Sequence, residues 1–228
     1  MKSPHQDDSV ANDRSETPAS VPAPVVSRLS LYLRELQRFQ QRGWETVSST
    51  QLGAELGFTD AQVRKDLAYF GQFGYPGVGY RCMELVAAIR GILGTDRTWN
   101  VALVGLGNLG RALLGHRGFH QQGFRITAAF DVAPELVGKT VEGVPVCSME
   151  ELAAVVQRES LKLAIITVPA SNAQAVADQL IRAGIAGILN FAPVTLNVPS
   201  HVRVVGVDLA LELEQLTYAV LQRAAQGD

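Results

Sequence analysis

Cysteine is scarce: Cys82 and Cys147 stand far apart in 228 residues, without the paired spacing of a metal site. That excludes a disulfide framework and a zinc ribbon, and it suits a reducing cytoplasm. Long apolar runs are missing too. The longest, "LAIITVPA", is far short of the roughly 20 residues that cross a bilayer. Excess charge of one sign is absent, since 20 basic residues face 22 acidic ones for a net of −2. The opening "MKSPHQDDSVANDRSETPASVPAP" has no apolar centre, so it is no secretory signal. Its Ser, Pro, Asp and Ala content reads as a disordered tail over 1–24. A soluble intracellular protein without membrane or metal partners is the expectation.

What is present divides in two at "GTDRT". Residues 25–94 carry eight basic and six acidic side chains, against ten and twelve in residues 95–228, so the first module is mildly positive and open to DNA. Apolar residues from Val25 to Phe39 recur at helical spacing, and Gly43 is a suitable stop. In "SSTQLGAELGFTDAQVRKDLAYFG" a capped helix meets a glycine turn, and Thr59 caps a second helix over 60–70. Val63, Leu67 and Phe70 share one face of it. "GQFGYPGVGY" punctuates aromatics with glycines and reads as a hairpin or wing. A helix from Cys82 to Leu93 completes the module.

A helix-turn-helix of this kind lays its second helix in the major groove. Arg64, Lys65 and Tyr69 are placed to meet phosphates or guanine edges and Gln62 an adenine; Tyr75 of the wing, or backbone N–H groups there, can meet an adjacent groove, and Ser49 is a further DNA-binding candidate. The competing reading is an ordinary solvated face, because Asp60 and Arg64 form an i,i+4 pair and Asp66 sits mid-helix.

From Trp99 the rhythm becomes strand, helix, strand. "WNVALV" is a buried strand, a helix is expected over 108–120, and "RITAAF", "VPV", "KLAIITV", "GILNFAP" and "VRVVGV" follow as strands. Ser148 with Glu151 and Ser171 with Gln174 are spaced as capping boxes. Gly105, Gly107 and Gly110 give G-x-G-x-x-G between strand and helix, and Asp131 ends the next strand 21 residues after Gly110. That context is the dinucleotide fingerprint. Leu106, Asn108 and Leu109 complete a turn whose N–H groups face pyrophosphate. Asp131, with Val132 beside it, accepts the adenosine ribose hydroxyls and repels a 2′-phosphate, which favours NAD(H). Arg125 and Lys139 lie close enough in sequence to weaken that repulsion.

The nicotinamide end belongs at the later strand ends, here Thr167, Val168 and Pro169, then Asn190, Phe191, Ala192 and Pro193. A dehydrogenase needs a proton-exchanging group held by a partner. His116, His120, His201 and Lys162 offer no such pair near those ends. A cofactor site without chemistry reads as a sensor rather than an enzyme, the alternative being an NAD-dependent oxidoreductase with an accessory helical domain.

With both halves in view, the chain resembles the Rex family of redox-sensing transcriptional repressors. The likeness rests on "SRLSLYLREL", "VSSTQLGAELG", "QVRKDLAYFGQFGYPGVGY", "VGLGNLGRAL", "AAFDVAPELVGK", "GILNFAPVTLNVP" and "VDLALELEQL", in order from Val25 to Leu221. The resemblance implies an α/β protein with a winged helix-turn-helix domain over 25–94 and a Rossmann domain over 95–207. It also implies a helix over 208–228 exchanged between the subunits of a homodimer, which accounts for the stripe Leu209, Leu213, Leu216 and Val220. It implies NADH and NAD⁺ as cofactors and palindromic operator DNA as partner, released when NADH replaces NAD⁺. Arg34 and Asp208 match polar residues that link the nicotinamide pocket to the DNA-binding module. One departure stands out. Where the family usually has a tyrosine near the nicotinamide, this chain has His116, a side chain that can keep a hydrogen bond to that network.

Overall fold

The computed structural model describes residues 21–225. The chain divides between Leu93 and Gly94 into two compact units.

The first unit is built on α1 (Ala23–Gln41). This helix begins within the segment expected to be tail, with Pro22 as its N-cap. Pro24 then sits in the first turn, where a missing N–H costs nothing. Leu29, Tyr32, Leu36 and Phe39 are fully buried along one stripe, each worth about 1.5–3 kcal/mol of transfer free energy. They pack with residues of α2 (Ser49–Leu56), α3 (Asp60–Ala68) and α4 (Cys82–Leu93). Ser48 caps α2 in a reciprocal box with Gln51. Gly57 ends it at φ +73°, a left-handed conformation that suits glycine. Gly53 is required by proximity, since a Cβ there would lie 2.5 Å from the Phe58 carbonyl oxygen. The Thr59 hydroxyl accepts from the Gln62 N–H at 3.1 Å and starts α3. Two short strands, β1 (Thr46–Val47) and β2 (Tyr80–Arg81), pair antiparallel at the root of a loop closed by a Tyr75–Gly79 bridge. This is a winged helix-turn-helix.

The second unit opens with β3 (Trp99–Val104). The helix expected over 108–120 is two helices, α5 (Asn108–Leu114) and α6 (Gly118–Gln121). Gly115 caps the first, and the chain turns through His116 and Arg117 before the second begins. Two glycines within four residues weaken continuous helix. After β4 (Phe124–Phe130), a hairpin of β5 (Thr140–Val141) and β6 (Val144–Cys147) replaces the single third strand expected. A 3₁₀ turn capped by the Ser148–Glu151 box leads into α7 (Leu152–Arg158). β7 (Leu163–Ile166), α8 (Ala170–Ala183), β8 (Gly187–Asn190), β9 (Arg203–Gly206) and α9 (Leu209–Ala225) follow.

The Ser171–Gln174 box does not form. α8 starts at Ala170 with Pro169 as its N-cap, two residues ahead of Ser171. Gln174 instead donates to Asp178 and the Asn197 carbonyl.

The sheet order is β5-β6-β4-β3-β7-β8-β9, parallel except for β5. Its parallel part is the doubly wound Rossmann order, with the crossover reversal between β3 and β7. Alternate residues of each strand serve the two faces. Ala102 and Val104 pack with α7 and α8, whereas Val101 and Leu103 pack with Leu113 and Phe119 on the other side.

Candidate functional site

The candidate cofactor residues come from four neighbouring strand ends. Gly105 follows β3, Asp131 follows β4, Thr167 follows β7 and the Asn190 segment closes β8. These strands are adjacent in the order β4-β3-β7-β8. Their carboxyl ends therefore share one edge, at the reversal point where α/β sheets bind ligands.

The glycine turn is held from several sides. Gly105 adopts φ +96°, and a Cβ there would lie 2.9 Å from Val168 Cγ1. A Cβ on Gly110 would come closer than 3.0 Å to the Gly105 carbonyl oxygen. Gly107 differs: its φ is −65° and a Cβ would meet nothing within 4 Å. Space rather than backbone conformation sets it apart, and that space lies over the start of α5. The first-turn N–H groups of Asn108, Leu109 and Gly110 have no intrahelical acceptor and carry the positive end of the helix.

Thr167 spans the reversal point. Its hydroxyl donates to the Gly105 carbonyl at 2.7 Å and lies 3.1 Å from that of Val104. Arg111 Nε donates to the Leu106 carbonyl at 3.0 Å from the other side. Neither contact was foreseen from spacing. Asp131 accepts from the Leu106 N–H at 2.5 Å and from the Ala133 N–H at 2.9 Å, so it braces the turn as well as facing its edge. Val132 beside it is 82% exposed, and Lys139 is exposed in the turn before β5.

Asn190 differs from expectation. It is buried, and its amide donates to the Ala192 and Val194 carbonyls while its oxygen accepts from the Ala192 N–H. Its side chain shapes the Phe191–Pro193 loop and does not point a free polar group at the edge. Phe191 is half-buried among the apolar residues of that sheet face.

His116 also lies elsewhere. The break after α5 places it in a cleft of about 670 Å³ with Arg117, His120, Arg125 and Glu142, to which no residue of the glycine turn contributes. Its ring meets Phe119 edge-on at 5.1 Å. Among the described residues, no group of three or more His, Cys, Asp or Glu could hold a metal ion.

In the first unit, Lys65 and Arg64 are exposed on α3, and Tyr69 is its C-cap rather than a helical residue. Arg64 pairs with Asp60 at 2.6 Å, as the i,i+4 spacing suggested, and also donates to the Ser49 hydroxyl at 3.1 Å. Ser49, Arg64 and Tyr75 line one groove of about 530 Å³ between the helix-turn-helix and the wing. Tyr75 lies under the Arg81 guanidinium at 4.9 Å and donates to Glu84 at 3.2 Å.

Asp66 departs from the reading of a solvated face, which the exposed Arg64–Asp60 pair follows. Asp66 is fully buried and accepts two hydrogen bonds from Arg28, at 2.5 and 2.8 Å. Tyr32 and Gln62 add one each, at 2.8 and 2.7 Å. Burial pushes this carboxyl up, but the bonds from Arg28, Tyr32 and Gln62 outweigh it and hold it below the usual carboxylate value. Sequence spacing could not reveal this, because the partners on α1 are 34 and 38 residues away.

Arg34 is exposed on α1. Asp208 caps α9 by accepting from the Ala210 and Leu211 N–H groups at 2.9 and 3.2 Å. Leu209, Leu213, Leu216 and Val220 on α9 are between 59% and 64% exposed.

A Rossmann sheet with an open carboxyl edge, joined to a winged helix, defines a DNA-binding protein that carries a dinucleotide-type domain. Two family models match, "CoA binding domain" over residues 96–194 and "Putative DNA-binding protein N-terminus" over residues 20–68. The redox-sensing transcriptional repressor Rex of Syntrophobacter fumaroxidans is 48% identical over 88% of this chain and 96% of its own. That of Desulfitobacterium hafniense is 47% identical over 90% and 98%. The crystal structure of RSP, in complex with beta-NAD⁺ and operator DNA, is 35% identical with a TM-score of 0.85, covering 92% of this chain and 99% of that one. RSP with beta-NADH gives 34%, 0.82, 91% and 97%. The chain belongs to the Rex family of redox-sensing transcriptional repressors.

Proposed function

We propose that this protein represses transcription as a homodimer on palindromic operator DNA and leaves it when NADH replaces NAD⁺ at the Gly105–Gly110 turn. The observation that carries this reading is the shared edge of β4, β3, β7 and β8 in a chain 48% identical to a redox-sensing repressor. The protein is a regulator, not an enzyme, as its relatives are.

Pyrophosphate would lie over Gly107 and the first turn of α5, where no Cβ intrudes and unpaired N–H groups attract anions. Asp131 would take the ribose hydroxyls. The nicotinamide would lie toward Thr167, Val168, Pro169 and the Phe191–Pro193 loop. There a neutral reduced ring fits apolar walls better than a cationic one.

On DNA, Lys65, Arg64 and Tyr69 would dock in the major groove, with Tyr75 and Ser49 on the backbone beside it. The exposed apolar stripe of α9 supports a homodimer, because seven or so large apolar side chains in water favour a partner surface. Arg34 and Asp208 would help couple cofactor binding to DNA binding.

Direct thiol sensing is the weaker route. Burial raises both the Cys82 and Cys147 thiols, which suppresses the reactive thiolate. No helix among the described residues is long and apolar enough to cross a membrane, and operator binding would place the protein in the cytoplasm.

Coupling requires a ligand that prefers one dimer geometry. A tenfold release from DNA needs about 1.4 kcal/mol of such preference. The test is fluorescence anisotropy on a labelled promoter fragment of the protein's own operon at fixed ionic strength. Binding with NAD⁺ and release with NADH support the reading; equal binding with both refutes it.

A further inference from the structure

Gln62 lies in the first turn of α3, on the helix that also exposes Arg64 and Lys65. Its side chain reaches along the helix to Asp66, where Nε2 lies 2.7 Å from Oδ1. A carboxylate can only accept, so the amide nitrogen must face Asp66 and the amide oxygen must face away. The choice between the two amide orientations is usually open; here the chemistry of the partner closes it. Asp66 cannot swing to release Gln62, because Arg28 grips it through two nitrogens and Tyr32 through its hydroxyl, both from α1.

One N–H of Gln62 is therefore committed. The other N–H and Oε1 have no partner among the described residues. That remaining donor–acceptor pair is the one with which a glutamine reads the N7 and N6 edge of adenine in the major groove. Arg64, by contrast, is already engaged by Asp60 and Ser49.

We propose that Gln62 is the adenine-reading residue of each half-site, its amide locked in the reading orientation by Asp66, with Arg28 and Tyr32 as positioning residues. This rests on the operator-binding reading and names the specificity determinant within it. A glutamine ordered before contact loses less side-chain entropy on binding than a free one. The lock also ties base reading to α1, so Arg28, outside α3, controls discrimination at one base pair.

The test uses the full chain and a palindromic duplex that the wild-type protein selects from a randomised pool. Variants of that duplex replace each A·T pair of the half-site by G·C in turn. The wild-type protein should favour A·T at one position per half-site by about tenfold to a hundredfold. Gln62→Ala should bring that ratio close to one while leaving the ratios at other positions unchanged. Gln62→Glu removes the donor and keeps an acceptor, so it should shift preference at the same pair toward cytosine. Arg28→Lys, which keeps the charge but not the two-nitrogen grip, should lower the ratio at that pair alone.

Unchanged discrimination in Gln62→Ala overturns the proposal, and so does a loss spread evenly over all positions. Helical circular dichroism and cooperative denaturant melts of each variant, measured alongside, report whether its first unit is folded. A wild-type protein that selects no duplex overturns the operator reading itself and this one with it.

Discussion

Gly107→Ala separates ligand binding from folding more cleanly than any other change at the glycine turn. A methyl at this position meets no atom within 4 Å, and φ of −65° is open to any residue. The unliganded protein should keep its stability or gain about 0.4–1 kcal/mol from a less flexible unfolded chain. The same methyl would project into the space assigned to pyrophosphate. Forcing it against a bound ligand should cost about 1–3 kcal/mol, a loss of affinity of about five- to 150-fold. Gly110→Ala is the opposite case, since its methyl would press on the Gly105 carbonyl, which cannot yield without moving the turn. That variant should lose both stability and NADH binding. Thermal melts of the unliganded protein, with NADH affinity followed by nucleotide fluorescence, give both quantities. An unaltered NADH affinity in Gly107→Ala would show that pyrophosphate does not pass over this residue.

Four further outcomes are expected. Lys65→Ala should weaken operator binding, lowering its salt slope by about two for a dimer, while NADH affinity holds; equal loss of both contradicts the division of labour. Asp131→Ala should relax the preference for NADH over NADPH by tenfold or more, about 1.4 kcal/mol, and an unchanged preference in paired titrations counts against its role. Leu213→Asp with Leu216→Asp should yield monomers by sedimentation and abolish tight operator binding; a dimer that survives places the interface elsewhere. Asp66→Asn should cost about 3 kcal/mol at pH 7. Because the folded carboxyl lies below its unfolded value of 3.8, that stability is present above pH 4 and fades as pH falls through the folded value. Denaturant melts in which the gap persists unchanged at acid extremes would contradict the assignment.

The longer strands and most helix ends were legible because their signals are local. Short apolar runs marked β3 and β4, Thr59 and Ser148 marked helix starts, and Gly57 and Gly184 marked helix ends at positive φ. The glycine turn was legible because its spacing is a direct consequence of close backbone approach at Gly105 and Gly110. Part of what could not be read depends on distant contacts. The Asp66 cluster joins residues 34 and 38 apart, and Thr167 reaches the turn from 62 residues away. Asn190 looked like a polar group at a strand end, yet its capacity is spent within its own loop. The helix after the turn was read as continuous to residue 120 because apolar periodicity continues through Phe119; Gly115 and Gly118 divide it.

The proposed sensor works only if the dinucleotide sets the separation of the two recognition helices. Spin labels on the exposed Ala61→Cys of each subunit, read by pulsed dipolar spectroscopy, measure that separation. With NAD⁺ it should match successive major grooves, about 34–36 Å between helix centres or a multiple of it, and NADH should move it off that value. The same distance distribution with both dinucleotides would contradict the account.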